Sequence, residues 1–215
     1  KLKIQLDHLK IIKADDPAGR DEPYLWCFGI VIDENDQDPD SDLRFIVKMN
    51  PLPGNLGSEK MRAGDVRSIP PGVGLIERHI NPVFNSFAAG VLVFAWEHDR
   101  TPDISMRVAY DDCARVLDAF LVPRVASLNT GPLSPEEEAS LAADLTARIT
   151  TRIKQTLGVG TLNIDDNVGA QAFMRSFPDA RAPASGPIVL DFISRRDSGR
   201  VIAHYHVSGT IAFRP

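Results

Sequence analysis

Tyr24 to Ile32 reads YLWCFGIVI, nine residues with no charge among them. Aromatic and β-branched residues dominate the run, no helix cap precedes it, and an acidic stretch follows it. Those are the marks of a central strand. Gly90 to Trp96, GVLVFAW, is a second such run, fully buried in character.

Around these two runs the β pattern spreads outward. Leu2, Ile4, Leu6, Leu9 and Ile11 alternate as in a half-buried strand, with an irregularity at Asp7 and His8. Asp15 to Gly19 carries turn chemistry. Leu43 to Met49 reads as a strand, Val66 to Ile69 as a short edge strand in a Gly- and Pro-rich stretch, and Pro82 to Phe87 as a partner of Gly90 to Trp96. The period then changes. Met106, Tyr110, Cys113, Leu117, Phe120 and Leu121 recur at helical spacing, predicting a helix over 104–122 that Pro123 ends or kinks. Ser134-Pro135-Glu136-Glu137 is a capping box opening a second helix, with Leu141, Leu145, Ile149, Ile153 and Leu157 as its stripe and Gly158 as its terminator. Strands resume at 170–177, 187–193, 201–207 and 209–213. The expectation is a mainly β, antiparallel sandwich of about eight strands with an inserted two-helix hairpin. It is one domain, of which 1–103 and 161–215 form the sandwich and 104–160 the insertion.

Composition narrows the function. The chain has 215 residues, 43% of them hydrophobic, enough for a sizeable core, and a net charge of −5 that offers no basic footprint to nucleic acid. No apolar run reaches the roughly 20 residues of a membrane helix, so the chain reads as soluble without a transmembrane segment. Cys27 and Cys113 belong to no zinc motif and read as buried thiols. No signal peptide is visible, but Lys1 in first place leaves a removed leader open, and with it the compartment.

Acids are what cluster. Calcium takes six to eight oxygens, so a site needs several carboxylates on converging loops. Three stretches qualify: ADDPAGRDEPY at 14–24, FAWEHDRTPD at 94–103, and IDDNVG at 164–169. The denser run DENDQDPDSD at 33–42 follows a strand about 30 Å long, which carries it to the other end of the sheet, and reads as a solvated hairpin loop.

In these stretches the chain resembles the C-two domain, the calcium- and lipid-binding sandwich of protein kinase C and synaptotagmin. Asp16, Gly19 and Glu22-Pro23-Tyr24 match that family's first loop, with Glu in place of Asp. Glu97-His98-Asp99 and Asp166-Asn167-Val168-Gly169 match the two halves of its third. Pro82-Val83-Phe84-Asn85-Ser86-Phe87 and the closing Tyr205 to Phe213 are similar too. The resemblance covers about 1–100 and 163–215 and departs from the family where more than sixty residues, the hairpin among them, separate Asp99 from Asp166. It implies calcium as the bound ion, with Asp16, Glu22, Glu97, Asp99 and Asp166 as ligands and Asp15, Asp21, Asp103 and Asp165 as neighbours able to substitute.

The implied function is non-enzymatic: a module meeting a protein partner or a phospholipid surface, with calcium ordering its loops. The hairpin's outward positions, Glu136, Glu137, Glu138, Asp144, Arg148, Arg152 and Lys154, are mixed in sign, which favours protein contact or a structural ion over lipid. A calcium-independent structural or assembly module is the alternative, with the acids as ordinary turn residues. A metal-dependent hydrolase comes third, since several acids can hold two metals. No GxSxG, HExxH or phosphate-binding glycine loop is present. His204 and His206 share one strand face, but without a third ligand in view they read as surface residues. The sequence leaves oligomeric state open.

Overall fold

The structure, a computed structural model, describes residues 1–14, 20–32, 44–80, 86–98, 103–127, 134–157, 166–196 and 198–215. Among these lie nine strands and three helices. The strands are β1 (Leu2–Lys13), β2 (Pro23–Ile32), β3 (Arg44–Lys48), β4 (Val66–Ser68), β5 (Leu75–Arg78), β6 (Phe87–Glu97), β7 (Asp166–Phe177), β8 (Ala184–Arg195) and β9 (Val201–Phe213). The helices are the single turn α1 (Pro71–Gly74) and the long pair α2 (Asp103–Ser127) and α3 (Pro135–Leu157).

Two antiparallel sheets face each other. One runs β3-β2-β6-β7; the other runs β4-β1-β9-β8, with β5 on the same edge of β1 as β4. Alternation sorts the side chains between two cores. Leu25, Cys27 and Val31 of β2 and Val91, Val93 and Ala95 of β6 meet Leu2, Ile4, Tyr205, Val207 and Phe192 between the sheets. Tyr24, Trp26, Phe28 and Ile30 of β2 and Leu92, Phe94 and Trp96 of β6 point the other way, onto Met106, Tyr110, Cys113, Leu117, Leu141 and Leu145 of the helices. The hairpin is therefore a third layer on the outer face of the β3-β2-β6-β7 sheet. Every residue of β2 and β6 is buried as a result. Both cysteines are buried, and neither is in a disulfide.

Tyr110 fastens that layer. Its ring stacks on Phe28 at 4.3 Å, its hydroxyl donates to the Cys27 carbonyl at 2.8 Å, and it accepts from the Met49 N–H at 2.6 Å. Burial pushes its pKa upward. Lys48 reaches Asp111 at 2.9 Å beside it, so Asp111 is paired. The capping box forms as the sequence predicts: Ser134 N–H donates to Glu137 Oε2 at 2.7 Å and Glu137 N–H to Ser134 Oγ at 3.3 Å.

Four expectations change. α2 continues past Pro123 to Ser127, because a proline removes one intrahelical bond and crowds one turn without obliging the helix to stop. Residues 201–207 and 209–213 are one strand, since a side chain on Gly209 would stand 2.3 Å from the Gln5 carbonyl oxygen and its absence is what lets β9 pass β1 closely. The Gly- and Pro-rich stretch holds α1 and β5 besides β4. Glu138 is turned inward, its carboxylate accepting the Ser176 N–H of β7. The irregularity at Asp7 and His8 is a register shift between β1 and β9. Apart from Ser86 and Phe87, the Pro82 to Phe87 strand lies outside the described residues, as does the run at 33–42.

Candidate cation site at the carboxylate end of the buried sheet

Register brings the proposed ligand stretches to one sheet end. Pro23, which follows Glu22, pairs with Glu97, and Glu97 pairs with Asp166. His98 N–H donates to the Glu22 carbonyl at 3.1 Å, tying the first stretch to the second. β2 and β3 are joined at the opposite end, where Ile32 pairs with Arg44, so the run at 33–42 leaves from there.

The individual acids differ in what surrounds them. Asp21 is 0% exposed, and its Oδ2 accepts the Tyr205 hydroxyl at 2.5 Å in the interior. Its backbone exchanges two hydrogen bonds with Met61, at 2.8 and 2.7 Å. Glu22, the next residue, turns outward to Lys60 at 3.4 Å. Glu97 is buried. Asp103 opens α2 and is exposed. Asp166 takes its place in the β6–β7 ladder, though its side chain is outside the described set. Asp15, Asp16, Asp99 and Asp165 lie outside the described residues. Among the described residues, no three His, Cys, Asp or Glu side chains form a ready-made metal site.

Asn55 closes the edge of β2 that β3 leaves uncovered. It donates to the Leu25 carbonyl at 2.7 Å and accepts the Leu25 N–H at 3.2 Å. Two buried donors one step inward from Glu97 and Asp166 have no partner among the described residues: Trp96 Nε1 and Asn167 Nδ2, which sit opposite each other in the ladder. What would satisfy both is oxygen. Beside this end, Ile104 and Val108 are one helical turn apart on α2 and 73% and 55% exposed, an apolar pair in solvent.

A second polar group lies on the outer face of the other sheet. Asp191 of β8 bonds both His204 and His206 of β9. This carboxylate partner was not seen in the sequence reading. Its signal was present in PIVLDFI at 187–193, where alternation puts Asp191 on the exposed face, but the β8–β9 register that brings it to the histidines is tertiary information.

No family model, no curated protein and no solved structure matches the chain. Among the described residues, no helix is long and apolar enough to cross a membrane.

Proposed function

We propose that the chain is a non-enzymatic calcium-binding module of C-two type, in which calcium orders the loops at the Glu97 end for contact with a protein or a phospholipid surface. The observation that carries this reading is the alignment of Pro23, Glu97 and Asp166 in one rank across β2, β6 and β7. Strand ends in rank deliver carboxylates from distant sequence to one place, as a cation of six to eight oxygen ligands requires. Glu22, Glu97 and Asp166 are the ligands borne at or beside these strand ends, and Asp16 and Asp99, outside the described residues, join them as the resemblance implies. Glu22 would exchange Lys60 for the ion. Ile104 and Val108 offer the apolar contact that a partner surface would meet. Protein contact is preferred to lipid because Glu136, Asp144 and Arg148 on the neighbouring helix are mixed in sign.

The calcium-independent assembly module is favoured by a different observation: Asp21 and Glu22 already have protein partners in Tyr205 and Lys60. Thermal melting separates the two. With calcium a hundredfold above its dissociation constant, the melting temperature rises by about 5–10 °C over that in EDTA, and Asp99→Asn removes most of the gain. Equal melting in calcium and EDTA overturns the calcium reading in favour of assembly.

A further inference from the structure

The outer face of the β4-β1-β9-β8 sheet is turned to solvent, and one spot on it collects nitrogen and oxygen donors. His204 and His206 are two residues apart on β9, so both side chains stand on the same face. Asp191 is directly opposite His206 in the ladder, and Ile193, two residues along β8, is opposite His204. Asp191 therefore reaches one ring straight across and the other on the diagonal. Its Oδ1 lies 3.1 Å from His204 Nε2 and 3.1 Å from His206 Nδ1.

Two imidazoles and a carboxylate are a ligand set for zinc and its first-row neighbours, bound at about 2.0–2.2 Å. Two ligand atoms at that radius, separated by the 90–110° of common coordination, are about 3.0–3.5 Å apart. Both measured edges, carboxylate to each ring, have that length already. As the side chains stand, no three among the described residues form a group able to hold a metal, so binding requires these rings to turn. The two histidine side chains, 26% and 34% exposed, stand at the surface where rings can turn. Lys10 and Lys13 of β1, opposite His206 and His204, are cations on the neighbouring strand that oppose binding.

We propose that Asp191, His204 and His206 bind one divalent transition-metal ion of the zinc class, each neutral imidazole offering its unprotonated nitrogen and the carboxylate an oxygen, with the ion's remaining positions open to water. The set is unsuited to calcium, which takes oxygen ligands, and it lies on a different sheet from the carboxylate end. This proposal and the calcium reading therefore fail separately.

The test is titration of the full chain with Co²⁺, followed by visible absorption and then by displacement with Zn²⁺. The expected result is one saturable equivalent with a d–d band of low coordination number, unaffected by excess calcium. His206→Ala, His204→Ala and Asp191→Asn should each weaken binding by more than tenfold, since even an outer-shell partner carries about 10–100-fold. All three positions are on the surface, and metal-free melting of each variant checks that the fold is intact. Absence of a saturable equivalent overturns the proposal. So does wild-type binding by the three variants, which would put the ion elsewhere.

Discussion

Tyr205 and Asp21 are 184 positions apart in sequence and joined by one hydrogen bond in the interior. A buried carboxylate that loses a donor bears about 1–3 kcal/mol, more when charged. Tyr205→Phe should therefore lower the free energy of unfolding by that much, seen as a lower urea midpoint at unchanged slope; an unchanged midpoint would mean that Asp21's other contacts suffice. The pair also marks a limit of reading a sequence. The acids of DEPY at 21–24 were visible, and their closeness to a strand start was visible. Their parity was not: Asp21 goes to the interior and Glu22 to Lys60, a choice set by the bridge from Asp21 to Met61, forty residues away. Glu97 and Asp166 could be placed at strand ends because each sits at the boundary of a strong β pattern; their choice as ligands came from the resemblance.

At the scale of elements, α3 is where local chemistry decides most. Its capping box is complete, so Ser134→Ala removes the acceptor of the Glu137 N–H and should cost about 1 kcal/mol. Denaturation of the variant measures the loss, and faster hydrogen exchange confined to the first turn of α3 identifies its source. Caps are legible because both partners lie within four residues. Longer-range decisions were misread for the same reason in reverse. Gly209 looks like a break between two strands until β1 is beside it, and Pro123 looks like a stop until the helix is seen to run four residues beyond it. α1 and β5 were hidden in a stretch whose glycines and prolines signal turns, although β5 is held by four register positions on β1.

For the molecule as a whole, the hairpin is a structural layer over aromatic strands, with Trp26 and Trp96 4.8 Å apart beneath it. A chain in which 103–157 is replaced by a short linker would present Tyr24, Trp26, Phe28, Phe94 and Trp96 to water. Apolar patches of that size drive association. The expected result is aggregation on size-exclusion chromatography, and a monodisperse, cooperatively folded product would show the hairpin to be dispensable. The need for this layer was written in YLWCFGIVI, since a strand apolar at every position requires cover on both faces. What hid it was the insertion point: the helices lie between the second and third acidic stretches, inside the proposed third calcium-binding loop, which directs attention to the sheet's end and away from its flank.

The pairing of β1 with β9 has a mechanical consequence. Leu2 stands opposite Phe213, and the Lys1 carbonyl accepts the Arg214 N–H, so the two ends of the chain leave the sheet side by side. Tension applied between them does not shear the ladder, where all rungs would share the load. It opens the rungs one after another from that corner, beginning at Leu2 and Phe213. The strand pair that closes the sheet in solution is thus the seam at which a pulling force would unzip it.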